Sequence, residues 1–249
     1  MYVFYVLGSL FTWIEIFLGF MIFFPVQLVV FLLTFWFDKK RRIIFYIGSA
    51  FSQFALFLSP IFRIKITGRE NLDRSKPHVL VMNHQSLLDI LLSFTLYYPS
   101  KMIAKKALGR VPFLGWELVL FGHLMVDRND RKSQFESIRK MENMLENGDS
   151  LLVYPEGTRT RDGNIREFRK GAFRSATSTG TPVLPVVLDG PYDALPKKGI
   201  IVNGVFTLHM HVMEPVEVEK GADPAELAAV CHGVMSDELA KQRAQRADK

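Results

Sequence analysis

Cysteine is almost missing from this chain: Cys231 is the only one among 249 residues. A disulfide framework is therefore excluded, as is a zinc site made of clustered thiolates, and the folded part suits a reducing cytoplasm. Charge is nearly missing from the amino-terminal stretch, where Tyr2 to Phe37 is broken only by the carboxylate Glu15 and by Pro25. That run is too long for the apolar part of a signal peptide, and no small-residue cleavage pattern follows it. There is no internal repeat and no low-complexity linker. No Gly-x-Ser-x-Gly elbow occurs either, so nothing points to a serine nucleophile. Basic residues outnumber acidic ones by 31 to 25, for a formal charge of +6. They are not interleaved with aromatics in any nucleic-acid-binding module, so no nucleic acid partner is expected. The surplus fits anionic lipid or an acidic partner.

What is abundant is apolar sequence, 49% of the chain. A bilayer span needs only about 20 such residues, so Tyr2–Phe37 predicts membrane insertion. The cluster Lys39-Lys40-Arg41-Arg42 comes next, preceded by Asp38, and should face the cytoplasm or lipid headgroups. A second apolar stretch, Ile43 to Phe62, carries Gly48, Ser49, Ser52, Gln53 and Ser59 at helical spacing. These form one weakly polar face, as in a helix lying in the membrane interface. The expected arrangement is one long insertion followed by an interfacial helix, or two helices inserted in one leaflet as a hairpin. Residues 1–62 are assigned to this membrane-inserting region and 63–249 to a single α/β domain.

Within that domain, strands are expected at Arg63–Thr67, Val79–Met82, Met102–Ala104, His123–Val126, Ser150–Tyr154, Thr181–Leu188 and Phe206–Val212. Helices are expected at Ser86–Tyr98, Ser133–Asn147, Lys170–Thr179 and from Asp223-Pro224 onward, with a frayed basic tail from Lys241. Their alternation predicts a mixed, largely parallel sheet flanked by helices. Pro182 and Pro185 argue that the strand at Thr181–Leu188 lies at an edge or forms an irregular wall beside a cavity. His209 and His211 share a strand face, but no third ligand is near in sequence, so no metal site is assigned.

The candidate chemistry begins at Asn83-His84-Gln85-Ser86-Leu87-Leu88-Asp89, directly after the buried-strand pattern Val79–Met82. Sites in α/β sheets lie at the carboxyl ends of strands. A histidine with a carboxylate on one ring nitrogen is a prepared general base. Five residues of helix turn a side chain through about 500°. His84 and Asp89 can therefore meet only if His84 lies ahead of the helix and Asp89 inside it. Taken alone, the pair also fits a surface histidine at a helix cap with an unrelated aspartate. Tyr154-Pro155-Glu156-Gly157-Thr158-Arg159 follows another strand, and its proline and glycine place Glu156, Thr158 and Arg159 on a loop rather than in the core. A guanidinium there suits bidentate capture of phosphate or carboxylate; a turn with an exposed salt bridge fits equally well. Lys105 lies in a run of cations after a short strand that fits a phosphate site or a solvated basic face; Arg128 ends another strand and could reach the same cleft, or form a surface ion pair with Asp127.

Taken in order, these segments resemble the glycerolipid acyltransferase family. The matching blocks are Asn83–Asp89, Gly122–Arg128, Glu156–Arg159 and the proline-containing Thr181–Val187; the likeness covers roughly residues 63–215. Tyr154 stands where the family often has phenylalanine, and His123 where it often has a small or apolar residue. The resemblance implies transfer of a fatty acyl group from a thioester to the free sn-2 hydroxyl of lysophosphatidic acid, giving phosphatidic acid, without an acyl-enzyme. It implies His84 as base, held by Asp89, and Lys105, Arg128 and Arg159 around the acceptor phosphate. Glu156 and Gly157 would shape that site, with Glu156 holding a cation or a glycerol hydroxyl. The co-substrate would be acyl carrier protein or coenzyme A thioester, with no other cofactor. The place would be the cytoplasmic face of the cell's inner membrane, among membrane lipids. The alternatives are another lysolipid acceptor, glycerol 3-phosphate, or a catalytically silent lipid-binding protein.

Overall fold

The computed structural model describes residues 2–127, 129–196, 199 and 201–247. Two apolar helices, α1 (Tyr2–Thr34) and α2 (Arg42–Leu58), precede a seven-stranded sheet. Its strands are β1 (Phe62–Thr67), β2 (Val79–Met82), β3 (Ser100–Lys105), β4 (Leu124–Val126), β5 (Ser150–Val153), β6 (Val183–Asp189) and β7 (Phe206–Val212). The helices among them are α3 (Leu88–Phe94), α4 (Leu114–Leu120), α5 (Arg131–Glu146), α6 (Arg174–Thr179), α7 (Pro191–Ala194) and α8 (Pro224–Ala247). The sheet order is β1-β7-β6-β2-β5-β3-β4, and every pairing is parallel except β6 with β7.

All residues of β2, β5 and β6 are buried, as expected of parallel strands covered on both faces. Successive side chains point to opposite faces. Leu80, Met82, Leu152, Leu184 and Val186 therefore meet α2 and α3 on one face. Val79, Val81, Leu151, Val153 and Val183 meet α5 and α8 on the other, with Cys231 fully buried among them. The chain steps from β5, on one side of β2, to β6 on the other. That reversal opens a crevice at the carboxyl ends of β2 and β5.

Three sequence expectations change here. β6 is a central strand rather than an edge. Its Pro185 lacks an N–H on the side facing β7, where β7 has ended at Val212 and the pairing continues irregularly. Met213 N donates to Pro185 O at 2.9 Å, and Val183 bonds Val216 in both directions. In α2, the small and polar residues Gly48, Ser49 and Ser52 are buried, not interfacial. They let bulky neighbours approach: a Cβ on Gly48 would lie 2.6 Å from the Phe121 ring. The face of α2 turned outward is instead apolar, with Tyr46, Phe54 and Phe57 exposed. Finally, the tail beyond Lys241 stays helical through Ala247. Arg243 and Arg246 hold the nearly buried Asp189 at 3.3 and 3.2 Å, and Arg246 also reaches Asp193 at 3.2 Å.

By length and composition, α1 could cross a bilayer. Both of its ends are nevertheless tied to the same domain. Ser9 Oγ accepts from Val202 N at 2.9 Å, and Thr12 and Ser59 hydroxyls meet at 2.8 Å. Past the other end, Asp38 caps α2 by accepting from Arg42 N and Ile43 N. Of the basic cluster, Lys40 Nζ donates to Asn147 O at the end of α5, and Arg41 Nη1 donates to Val119 O and Leu120 O in α4. Lys39 and Arg42 are left facing outward.

Candidate active site

The strand β2 delivers His84 to the crevice, and its neighbours fix it there. Asn83 pins the turn to β6 by donating Nδ2 to Leu188 O at 2.9 Å and accepting Leu188 N at 2.7 Å. His84 precedes α3, while Asp89 lies in its first turn, so the two side chains meet as the spacing requires. His84 Nδ1 and Asp89 Oδ2 are 2.7 Å apart. The same oxygen accepts from Gln85 N at 2.6 Å and Ser86 N at 2.8 Å. Those two N–H groups are thereby lost to helix pairing, and α3 starts at Leu88 rather than Ser86. Asp89 is fully buried; burial pushes its carboxyl up, and the His84 ring and the two backbone donors oppose that shift. With Nδ1 engaged, Nε2 is the ring nitrogen left to take a proton.

Sequence reasoning noted Tyr154 only as an unusual residue. Its ring stacks on the His84 imidazole with centroids 4.2 Å apart and planes inclined by 25°. The imidazole is thus held by a carboxylate at one edge and an aromatic on one face. The available signal was positional: Tyr154 directly follows β5, which pairs beside β2.

The Glu156 segment braces the histidine from the adjoining strand. Glu156 Oε1 accepts from His84 N at 2.8 Å and Oε2 from Arg166 N at 3.3 Å, while Thr160 N donates to His84 O at 2.8 Å. Contrary to the expectation of a loop-exposed side chain, Glu156 is buried, because both carboxylate oxygens are claimed by backbone N–H groups. Burial raises its carboxyl to about 7. Gly157 carries the turn at φ +71°, a conformation that glycine adopts without strain. Tyr192 and the last turns of α8 tie down the loop beyond: Tyr192 Oη donates to Arg161 O, and Gly163 O accepts from both Gln85 Nε2 and Arg243 Nη2.

His84, Tyr154, Gly157 and Arg159 open onto a cavity of about 270 Å³ that Lys105 also lines. The expected residues Lys105, Gly157 and Arg159 are therefore brought together with His84. Glu156 stands behind the turn, and Arg128 lies outside the described residues. Inward from this basic rim the cavity turns apolar, passing Leu91, Phe94 and Met102 on the domain side. Phe20 of α1 and Phe51 of α2 close the other side. Its polar exceptions are Gln27, Ser52, His123 and Glu117. Met102 N donates to His123 Nδ1 at 3.1 Å, and burial lowers that imidazole to about 3, so it is neutral. Burial raises Glu117 to about 8, and the Gln27 amide, oriented as a donor, reaches both of its oxygens at 2.6 and 3.0 Å. His209 and His211 instead share Thr67 Oγ1, at 3.3 and 2.8 Å, far along the sheet in β7.

The arrangement pairs a prepared base with cations for an anionic group and a slot for an aliphatic chain. Comparison with known proteins identifies the family. The profile of the family described as Acyltransferase matches residues 63–189, which hold His84, Asp89, Lys105, Tyr154, Glu156 and Arg159. A 1-acyl-sn-glycerol-3-phosphate acyltransferase of Chlamydomonas reinhardtii is 37% identical over 182 residues, 72% of this chain. The chain matches only 54% of that protein and 49% of a chloroplastic Arabidopsis thaliana relative, about half the length of each. It covers more of the bacterial proteins of that name: 71% in Borreliella burgdorferi at 32% identity, and 76% in Escherichia coli at 30%. In three dimensions the chain resembles the crystal structure of the 1-acyl-sn-glycerophosphate (LPA) acyltransferase PlsC from Thermotoga maritima. The TM-score is 0.82 at 26% identity, over 97% of both chains. The profile match over half of the chain, the bacterial relatives and the shared fold show that the chain belongs to the acyltransferase family.

Proposed function

We propose that this protein transfers a fatty acyl group from a thioester to the free sn-2 hydroxyl of lysophosphatidic acid, producing phosphatidic acid. The observation that carries the reading is the 2.7 Å His84–Asp89 pair opening onto a cavity with Lys105 and Arg159 at its rim. His84 Nε2 takes the hydroxyl proton as the oxygen attacks the thioester carbonyl. Asp89 steadies the imidazolium so formed. When the C–S bond breaks, the proton passes to the departing thiolate, so base and acid are one residue and no acyl-enzyme forms. Lys105 and Arg159 hold the acceptor phosphate and so fix the attacking hydroxyl, an orientation effect worth several kcal/mol. Glu156 acts through the backbone of His84, keeping the imidazole in place. The fatty chain occupies the apolar cavity.

The names of the relatives support lysophosphatidic acid as acceptor, and so does a rim of two cations, which suits a phosphate monoester. The helices support work at a membrane. Both ends of α1 are tethered to one domain, so α1 and α2 lie in a single leaflet with their apolar outer faces down. The domain stays on the side of the basic cluster, the cytoplasmic face of the inner membrane. This keeps the cavity mouth at headgroup level, where lysolipid and product reside.

The test is acyl transfer by the purified full-length protein to a panel of lysophosphatidic acid, other lysophospholipids and glycerol 3-phosphate, beside the His84→Ala variant. The expected result is preference for lysophosphatidic acid, with the variant folded, membrane-bound and nearly inactive. Lysophosphatidic acid among the poorest acceptors would overturn the substrate. Unchanged turnover in the variant would overturn the mechanism.

A further inference from the structure

The rim cations leave a second basic group without a task. Arg166, Arg169 and Lys170 follow the Glu156–Arg159 turn on one loop, and all three are exposed. Among the described residues their side chains make no hydrogen bond or ion pair. They wall a groove of about 700 Å³ whose opposite side is a small-residue face of α8, Ala225, Ala228 and Ala229. This space is distinct from the apolar cavity, and the two meet at a single turn. Arg169 lies over Gly157, where an added Cβ would be 3.1 Å from its guanidinium carbon, and Gly157 lines the cavity beside His84. Glu156 lines the groove while its carboxylate bonds His84 N. One side chain thus separates the groove from the backbone of the base.

Of the acidic groups facing this groove, Glu156 bonds backbone N–H donors and feels the Arg166 charge, and Glu167 is exposed, so the three cations still outnumber the carboxylates. Such a surplus suits a phosphate ester. The acceptor's phosphate already has Lys105 and Arg159. The remaining anion of an acyl transfer belongs to the donor. Biological acyl thioesters carry the chain on a pantetheine arm that ends in a phosphate, whether the carrier is coenzyme A or a protein. The neutral amides of that arm suit a wall of alanines. We propose that the groove of Arg166, Arg169 and Lys170 seats the phosphate of the donor's phosphopantetheine arm. The thioester then reaches His84 across the Gly157 turn while the acyl chain enters the cavity. This assignment rests on the acyl-transfer reading and names its donor chemistry.

The test uses the full-length enzyme in mixed micelles with lysophosphatidic acid and one acyl chain presented three ways: on coenzyme A, on acyl carrier protein, and on pantetheine without phosphate. In Arg169→Gln and Lys170→Gln, the preference in kcat/KM for phosphate-bearing over phosphate-free donor should fall about tenfold. The KM for lysophosphatidic acid should stay within about twofold, and Arg169→Lys should retain most of the preference. A fall confined to one phosphate-bearing donor supports the seat and identifies its source. An unchanged preference, equal loss with the phosphate-free donor, or a shift falling on the lysophosphatidic acid KM would overturn it. A wild-type enzyme inactive with all three donors would overturn the acyl-transfer reading itself, and the donor seat with it.

Discussion

Replacing Asp89 by asparagine separates the charge of the pair from its shape. Asp89 Oδ2 accepts three N–H donors, whereas Oδ1 has no hydrogen-bond partner among the described residues. An asparagine whose amide oxygen takes the place of Oδ2 keeps all three donors satisfied, and with them the His84 tautomer. What it loses is attraction for the imidazolium that forms as the hydroxyl proton arrives. For charge centres about 4 Å apart at an effective dielectric of about 20, that attraction is about 4 kcal/mol. In kcat this amounts to about a thousandfold. Asp89→Ala, by contrast, strands the N–H groups of Gln85 and Ser86, at about 1–3 kcal/mol each, and should lower stability as well as rate. Turnover is followed as thiol release from an acyl thioester at saturating lysophosphatidic acid, and stability as the thermal midpoint by circular dichroism. If Asp89→Asn melts near the wild type and keeps more than about a tenth of kcat, the electrostatic role assigned to Asp89 is wrong.

Two further outcomes follow from buried charge. Glu117 has its carboxyl raised by burial to about 8 from an ordinary 4.5, so the folded protein holds a proton that the unfolded chain has released. The stability this provides is fully present below about 4.5 and lost as pH rises through about 8, to a ceiling of about 5 kcal/mol that the Gln27 hydrogen bonds reduce. Thermal midpoints across that range should decline in the wild type and flatten in Glu117→Gln; identical slopes would exclude this linkage. Asp189→Ala should leave Arg243 with only its bonds to Asn164 and Gly163 and Arg246 with only Asp193, loosen the last turns of α8 and cost about 1–2 kcal/mol after screening at the exposed arginines. Hydrogen exchange at residues 240–247 should accelerate, and unchanged protection there would show that these ion pairs do not hold the helix end.

The fold was legible wherever one residue pattern had one structural solution. Apolar runs ending in a turn residue became buried strands, and the five-residue step from His84 to Asp89 had a single geometry that lets the groups touch. Legibility failed where a residue's fate depended on a distant partner. Pro185 read as an edge signal because sequence does not show that β7 ends opposite its missing N–H, with residues 213–216 pairing irregularly beyond. Gly48, Ser49 and Ser52 read as a wet face, yet small residues also mark close packing, and Phe121 decides between the two. The basic tail read as frayed because its counter-charge, Asp189, is more than fifty positions away. At the site, Glu156 was found by motif, but its inward turn depends on a backbone N–H supplied by another strand.

The cavity proposed to hold the fatty chain is not wholly a property of the α/β domain. Phe20 and Gln27 of α1, and Gly48, Phe51 and Ser52 of α2, form one side of it. The proposed anchor and the proposed container are therefore the same object. Trimming away the first two helices to obtain a water-soluble protein would leave the histidine in place beside an open trough. Selectivity for the donor's tail should then vanish together with attachment to lipid.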